Sequence, residues 1–343
     1  KINNFFKNHS NEIFDKHDYI ELRYLGSGAV SKTFLVYHID KEELFTVKYY
    51  NTYDIEMKNL AEREIGHYSK IRHPLLPKYY GTNKDKSCIV IEFINGKTLE
   101  NIERLHLSEN EKITYIFELV LVLGFLHRNH FIYRDLKPDN CMIDNNGIMT
   151  LIDFDRVLYW MNIENDQEFT NTFASNFAAP EVNTGNFSYP CDIYSIGRLM
   201  YYIMKEKIPN HQMEAEIQQI ENKTEIEKLI EKCTRNPNER PSILELIIEL
   251  CINYYSNINL KNILAIYKHL NSLLDSDENK EYKNIIIEFK QALFFYSLAS
   301  KQNQPKEQYG IGMVYYNNKD IPRNITKAVH FFTLSADQNY APA

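Results

Sequence analysis

The stretch HFIYRDLKPDNCMID, residues 130–144, places an Arg, a Lys, three Asp and an Asn between two apolar runs. Apolar runs of this kind are typical of buried core. Charged side chains in such a place are costly to remove from water unless each pairs with another group. The stretch therefore favours a buried site that binds charged partners.

The segment CMIDNNGIMTLI, residues 141–152, has two short apolar runs around a turn that contains Gly147, and this pattern predicts a β-hairpin. Closing the hairpin brings Asn140, which precedes its first strand, close to Asp153, which follows its second. Converging amide and carboxylate oxygens suit Mg²⁺, which fills the rest of its shell with water and phosphate. A polar hairpin end made of turn-forming residues is the alternative, and the charges upstream favour the functional interpretation.

The composition limits the class of protein. The chain has 343 residues, 44% hydrophobic and 25% charged, and this length predicts two or more packed units. A net charge of −7 argues against a general nucleic-acid or anionic-membrane binder, so we expect no nucleic-acid partner. The 5 cysteines are scattered and odd in number, which indicates neither a disulfide framework nor a zinc site.

The sequence has no signal for membrane insertion or secretion. No apolar run reaches the roughly 18 residues of a membrane span, and residues 1–20 contain Asn, Lys, Asp and Glu where a signal peptide needs an apolar core. We therefore expect a cytoplasmic protein. Its richness in Asn, Lys, Ile and Tyr is typical of the AT-rich genomes of protists and intracellular bacteria, so for a bacterial effector the expected place is the host cytosol.

The pattern of residues changes along the chain. Residues 18–95 alternate β-rich runs with turn signals and include one longer helical pattern, at residues 54–71, whereas residues 100–252 are mainly helical. Beyond residue 255 the helical pattern continues, and a shift of 36 residues aligns similar positions. This period predicts stacked helix pairs. The aligned pairs are Ala292 with Ala328, Phe295 with Phe331, Leu298 with Leu334, Gln302 with Gln338 and Asn303 with Asn339.

The β-rich part contains three residues or motifs that suit a phosphate site. Gly26 and Gly28 lie between two predicted strands, where backbone without side chains can close over phosphates, although a simple hairpin turn explains them too. Lys48 ends the apolar run LFTVK and is, taken alone, an ordinary solvated strand end. Glu64 interrupts the apolar stripe of the predicted helix, so it needs a cation, and Lys48 is the nearest candidate.

Together these motifs resemble a eukaryotic-type protein kinase over residues 18–252, in that family's order and spacing. The resemblance implies an α+β, two-lobed fold, with a small antiparallel β lobe with one main helix at about 18–94 and a large, mostly helical lobe at about 95–252. The matching motifs are GSGAVS (26–31), TVK (46–48), EREI (62–65), IEFI (91–94), YRDLKPDN (133–140), DFD (153–155), AAPE (178–181), DIYSIG (192–197) and Arg240 as the partner of Glu181.

The resemblance implies a role in phosphoryl transfer for each charged residue. Lys48 holds the α- and β-phosphates of ATP and is positioned by Glu64, while Asp153 and Asn140 hold Mg²⁺. Asp135 accepts the proton of the substrate hydroxyl. The further positions expected to contact the nucleotide are Leu25, Gly26, Gly28, Thr33, Thr46, Ile91 as gatekeeper, Glu92, Ile94 and Met142.

The same resemblance suggests the substrate and the regulation. Lys137, of the type found in serine/threonine kinases, neutralises the γ-phosphate, so we expect a protein substrate with a Ser or Thr acceptor. Arg134 next to the catalytic aspartate resembles kinases controlled by phosphorylation of the activation segment. The candidate acceptors there are Thr170, Thr172 and Ser175, and solvated loop hydroxyls are the alternative.

Several residues depart from the family pattern. Asp155 replaces a glycine beside the metal site, Ala174 replaces a threonine before AAPE, and Thr33 and Thr46 make the nucleotide pocket more polar. Every group expected to contact ATP or metal by charge is nevertheless present. Two hypotheses remain: an active Ser/Thr kinase, and a pseudokinase scaffold that binds nucleotide weakly or not at all.

The C-terminal part carries a second resemblance, to Sel-one-like repeats, through GIGMVY (310–315) and KAVHFFTLSA (327–336). Residues 291–343 resemble one partial and one nearly complete repeat, after a helical connector at 253–290; residues 1–17 form an N-terminal extension. Such repeats imply a protein partner and a natural chain that continues further. A helical cap on the kinase domain is the alternative.

Overall fold

The computed structural model describes residues 12–28, 31–51, 53–160, 175–185, 187–259, 264, 283–317 and 323–340. The chain forms two compact units, Lys1–Asn101 with His130–Asp166, and Ile102–Asn129 with Gln167–Ala343. Thr170, Thr172 and Ala174 lie outside the described residues, whereas Ser175 is described and half-buried. No helix within these described ranges is long and apolar enough to cross a bilayer.

The first unit is built on a six-stranded sheet with the strand order β1-β5-β6-β4-β3-β2. Its pairings are antiparallel except that β1 runs parallel to β5, a pairing that the sequence pattern did not predict. Val36, Phe45, Val47 and Val90 form its apolar core. The strands are β1 Glu12–Ile13, β2 Tyr19–Ser27, β3 Ser31–His38, β4 Glu43–Tyr50, β5 Tyr79–Thr82 and β6 Cys88–Glu92.

One long helix, α1 (Ile55–Lys70), accompanies this sheet and confirms the helical pattern at residues 54–71. Asp54 caps its first turn by accepting a hydrogen bond from the Glu56 backbone N–H at 2.7 Å. The helix packs against β4 and buries Glu64 within its apolar face. The carboxylate therefore points into the unit rather than into solvent.

The predicted hairpin is confirmed by β9 (Cys141–Asp144) and β10 (Met149–Leu151), which pair antiparallel and are joined by β7 (Gly96–Thr98). The Asp144 carboxylate accepts hydrogen bonds from two turn N–H groups, and Gly147 adopts a φ of 72° that glycine tolerates without strain. The Ile152 N–H donates to the Asn140 carbonyl at 2.8 Å, so the two open ends of the hairpin meet. A small second ladder pairs β8 (Phe131–Ile132) with β11 (Leu158–Tyr159).

The second unit is helical. Its first helix begins with a reciprocal cap between Ser108 and Glu111, and the predicted pair of Arg240 with Glu181 is present, with Nη2 3.0 Å from Oε2. The helices are α2 Glu109–Arg128, α3 Tyr189–Lys205, α4 Met213–Gln218, α5 Glu225–Cys233, α6 Ile243–Tyr254, α7 Lys283–Ser300, α8 Pro305–Asn317 and α9 Ile325–Ala336.

A buried carboxylate connects the C-terminal helices to α6. Glu249 on α6 is 3% exposed, and its Oε1 accepts hydrogen bonds from Lys327 Nζ on α9 and, at 3.4 Å, from the Tyr315 hydroxyl on α8. Asn253 donates to the other oxygen at 3.2 Å. The last two helices thus pack on the helical unit through a charged pair.

Replacing Lys327 with Met should lower the free energy of unfolding by about 1–3 kcal/mol, because the buried Glu249 carboxylate loses its cation and Lys327 is itself partly exposed. Denaturant titration of the whole chain measures the change. Lys306→Met on α8, an exposed lysine, is the matched control. Equal stabilities of the two variants would contradict the role of the pair.

Candidate active site

One lysine connects two carboxylates in the first unit. Lys48 Nζ lies 2.7 Å from Glu64 Oε1 on α1 and 2.7 Å from Asp153 Oδ1 after the hairpin, and Lys48 is only 8% exposed. The pairing with Glu64 confirms the interpretation of the interrupted apolar stripe. The contact with Asp153 was not predicted, since it joins residues 105 positions apart.

These contacts change the proton affinities of all three groups. Burial raises the pKa of Glu64 to about 7, although the charge of Lys48 opposes the shift. Burial lowers the pKa of Lys48, but the charges of Glu64 and Asp153 outweigh it and raise the pKa above its ordinary value. Burial likewise raises the pKa of Asp153, and the charge and hydrogen bond of Lys48 reverse the shift. Lys48 therefore stays cationic and Asp153 anionic.

The opening stretch forms a compact polar turn. Asp135 is 8% exposed, and its Oδ2 accepts hydrogen bonds from Lys137 Nζ at 2.7 Å and from Asn140 Nδ2 at 2.9 Å. Asn140 Nδ2 also donates to the Asp135 carbonyl at 2.8 Å. Because both of these contacts use the amide nitrogen of Asn140, the amide oxygen is left to act as an acceptor.

The donor set at the hairpin end fits Mg²⁺. Asp153 supplies an anionic carboxylate and Asn140 an amide oxygen, and the hydrogen bond between Ile152 and Asn140 brings the two together. Within the described ranges, no group of three His, Cys, Asp or Glu side chains could hold a metal ion. Two hard oxygens that leave the rest of the shell to water and phosphate are the arrangement that Mg²⁺ prefers.

Two residues of the site hold left-handed backbone. Arg134 has a φ of 66° and Asp153 a φ of 65°, a conformation that costs a side-chain-bearing residue about 1–3 kcal/mol. Neighbouring contacts maintain it: Arg134 Nε donates to the Arg156 carbonyl at 2.6 Å, and the ring of Phe154 stacks on Tyr68 with centroids 4.5 Å apart. The strained residues are thus Asp153, an expected Mg²⁺ ligand, and Arg134, the neighbour of Asp135 in sequence.

Asp155 replaces the glycine of the family pattern. This replacement changes the charge of the site but does not strain the backbone. Its φ is outside the left-handed region, so a side chain causes no strain there. Its Oδ1 is buried without a hydrogen-bond partner, while its carbonyl accepts from Arg63 Nη2 at 3.5 Å. Burial and the charge of Asp153 raise the pKa of Asp155 to about 6. The replacement therefore adds an unsatisfied acidic group beside Asp153.

The strands place several predicted nucleotide positions on one face of the sheet. Thr33 lies opposite Lys48, and Thr46 lies opposite Ile91. Opposed residues share a face, as do residues two apart in one strand, so these four side chains line the same side. Gly26 pairs with Thr33 at the neighbouring strand.

The remaining predicted contacts are spread around this face. Leu25 is 38% exposed and Ile94 6%, and Met142 lies on β9 opposite Thr150. The Gly28 N–H donates to the Ser31 carbonyl at 3.0 Å. The Glu92 carboxylate accepts a hydrogen bond from the Lys78 backbone N–H at 3.2 Å, so its side chain is bound to the backbone just before β5. Nucleotide contact stays a prediction at all these positions.

The first unit combines a mainly antiparallel sheet, a lysine–glutamate pair and a strained aspartate after a hairpin, and the second unit is helical. This combination defines the protein kinase class of phosphotransferase folds. The sequence matches the protein kinase domain family over residues 19–294, and the chain belongs to this family.

The relatives described here are protein kinases by name, and two of the three are named serine/threonine-protein kinases. A carbon catabolite-derepressing protein kinase of Candida glabrata is 29% identical over 202 residues, 56% of this chain and 32% of that protein. A RAC family serine/threonine-protein kinase homolog of Dictyostelium discoideum is 30% identical over 246 residues, 68% of this chain and 53% of that protein. Human serine/threonine-protein kinase 32B is 29% identical over 224 residues, 58% of this chain and 52% of that protein. The chain spans from about a third to about half of the length of these relatives.

Helix α1 also carries a buried neutral histidine that the sequence pattern did not single out. His67 is 7% exposed, its Nδ1 has no hydrogen-bond partner, and its ring packs edge-on against Phe131 at 5.4 Å. Burial and the charges of Arg63 and Lys70 lower the pKa of His67 from 6.5 to about 3.

Acid should therefore destabilise the unit that holds the site. The unfolded chain binds a proton at His67 below about pH 6.5 and the folded protein does not, so the stability contributed by neutral His67 is complete above that pH and is lost as the pH falls toward 3. His67→Phe should gain about 2 kcal/mol relative to wild type between about pH 7.5 and about pH 5, measured by denaturant unfolding. A stability difference between His67→Phe and wild type that is the same at both pH values would contradict the expectation.

Proposed function

We propose that the protein transfers the γ-phosphate of ATP to Ser or Thr hydroxyls of protein substrates. The observation that carries the proposal is the joint placement of Lys48, Glu64, Asp135, Asn140 and Asp153 within one compact unit. These are the charged and amide groups that phosphoryl transfer by this family requires.

Each residue has a stated task in the proposed reaction. Asp135 accepts the proton of the substrate hydroxyl. As the hydroxyl oxygen bonds to the γ-phosphorus, the bond between the γ-phosphorus and the β-phosphate oxygen breaks. Lys137, whose Nζ lies 2.7 Å from Asp135 Oδ2, offsets charge on the transferred γ-phosphoryl group. Lys48 binds the α- and β-phosphates. Bound Mg²⁺, held by Asp153 and Asn140, supplies charge neutralisation on the phosphates.

The choice of Ser or Thr as acceptor is supported by two independent facts. Lys137 occupies the position found in serine/threonine kinases, and relatives from an amoeba and from human carry that specificity in their names.

Asp135→Asn should lower phosphate transfer by about 100- to 10,000-fold, because the amide cannot accept the proton. The measurement is mass-spectrometric mapping of phosphorylated residues after incubation with Mg-ATP, on the protein itself and on a generic substrate. Asp139→Asn, an exposed carboxylate in the same turn, is the matched control and should keep wild-type activity. Wild-type protein that folds, binds Mg-ATP and transfers no phosphate would refute the kinase function.

A pseudokinase scaffold is the second candidate, and the unsatisfied Asp155 carboxylate beside Asp153 favours it. An additional negative charge there opposes the approach of the ATP phosphates. The scaffold predicts weak or absent nucleotide binding and no phosphorylation in wild type. Autophosphorylation that disappears in Asp135→Asn excludes it.

The C-terminal helices are proposed to recruit a protein partner through Sel-one-like repeats. Four large apolar side chains on them, Phe294, Tyr316, Ile325 and Val329, are 44–55% exposed. Joint replacement of Ile325 and Val329 by Asp should leave activity on a generic peptide unchanged and remove a specific set of phosphorylated residues in cells, as measured by quantitative phosphoproteomics. An unchanged set would argue for the helical cap alone.

A further inference from the structure

Two buried polar atoms near Lys48 lack hydrogen-bond partners. Glu64 is 1% exposed, and its Oε2 accepts no hydrogen bond, while Oε1 binds Lys48. Tyr50 is 6% exposed, and its hydroxyl lies near Glu64 but makes no hydrogen bond of standard geometry. A buried donor and a buried acceptor that each go unsatisfied are both destabilising, and a shared hydrogen bond relieves both.

The two groups belong to one cluster. Lys48 and Tyr50 are two residues apart on β4 and share a face of the sheet, against which α1 presents Glu64. Lys48 Nζ is 2.7 Å from Glu64 Oε1 and 5.9 Å from the centre of the Tyr50 ring. Burial and the charge of Glu64 raise the pKa of Tyr50 well above its ordinary value, so the phenol keeps its proton and remains a donor.

We propose that the Tyr50 hydroxyl donates a hydrogen bond to Glu64 Oε2 when Mg-ATP occupies the site, and that Tyr50 is thereby a positioning residue for Lys48. This inference rests on the proposed kinase function. ATP phosphates compete with the carboxylates for the Lys48 ammonium, so the ammonium stays in place only if Glu64 is held from a second side. Tyr50 supplies that second contact.

The role differs from simple core packing in what it predicts. A buried hydroxyl without a good partner is destabilising. If Tyr50 only fills space, Tyr50→Phe would therefore stabilise the protein and leave its nucleotide affinity unchanged. A positioning hydroxyl acts through Glu64, so its removal weakens the phosphate contact made by Lys48. The two roles therefore separate in nucleotide affinity and in coupling to Glu64.

The test compares two adjacent Tyr→Phe variants of the whole chain. Tyr50→Phe should raise the Kd for Mg-ATP, measured by calorimetry, and the KM for ATP by about 10- to 150-fold, the effect of one hydrogen bond to a charged group. Tyr49→Phe is the matched control, since Tyr49 points to the opposite face, where its ring meets Phe34 at 5.8 Å. It should change both constants by less than about 2-fold.

A double-mutant cycle tests whether the effect passes through Glu64. In a Glu64→Met background, which has no oxygen to accept the hydroxyl, Tyr50→Phe should change the Kd by less than about 2-fold, whereas full additivity would overturn the proposal. An unchanged Kd in Tyr50→Phe would overturn it as well. A crystal structure of the wild-type protein with Mg-ADP tests the proposal without any variant. The distance from the Tyr50 hydroxyl to Glu64 Oε2 should be about 2.5–2.8 Å, and a distance beyond about 3.5 Å contradicts the proposal.

The two levels of inference fail separately. Wild-type protein that transfers no phosphate refutes the kinase function, while the Mg-ATP affinities and the nucleotide-bound structure still decide the role of Tyr50. Wild-type activity combined with unchanged affinity in Tyr50→Phe refutes only the positioning role.

Discussion

The ammonium of Lys48, shared between two carboxylates, is the interaction on which the first unit depends. Its partners come from α1, 16 residues on, and from the end of the hairpin, 105 residues on. A cation this deeply buried is tolerable only when both partners are in place, because an unpaired buried charge is far more costly than a paired one. Strand β4, helix α1 and the hairpin therefore take their relative positions from a single charged group.

The same cluster holds more negative charge than Lys48 offsets. Glu64 and Asp155 have raised pKa values because both are buried close to other carboxylates, and Asp153 keeps its charge only through Lys48. The same excess of carboxylates leaves one oxygen of Glu64 and one of Asp155 without a hydrogen-bond donor. Such a cluster is suited to additional cations and additional donors, which is the physical reason to expect Mg²⁺ at Asp153 and a donor at Glu64. Natural proteins accept unsatisfied groups of this kind mainly at functional sites.

Much of the fold followed from local patterns. The hairpin at Cys141–Leu151 is encoded by two apolar runs and a glycine turn, and α1 by an aspartate cap and a period of 3.6 residues. The need of Glu64 for a cation was visible because a charge interrupts an apolar stripe. The parallel pairing of β1 with β5 was not, since its two-residue strand carries too little pattern. The unpaired hydroxyl of Tyr50 was also invisible, because an aromatic residue in a strand is what β propensity favours in any case.

The sequence by itself determined the elements and the chemistry: which segments are strands or helices, which residues carry charge into the core, and to which family their order belongs. Each of these depends on neighbours along the chain or on motif spacing. Only the tertiary structure decided which oxygens of Glu64 and Asp155 lack partners, that Lys48 also binds Asp153, and that Glu249 binds the C-terminal helices through Lys327. Those outcomes depend on distances between residues far apart in sequence, and burial, which sets the strength of every charge among them, exists only once the chain has packed.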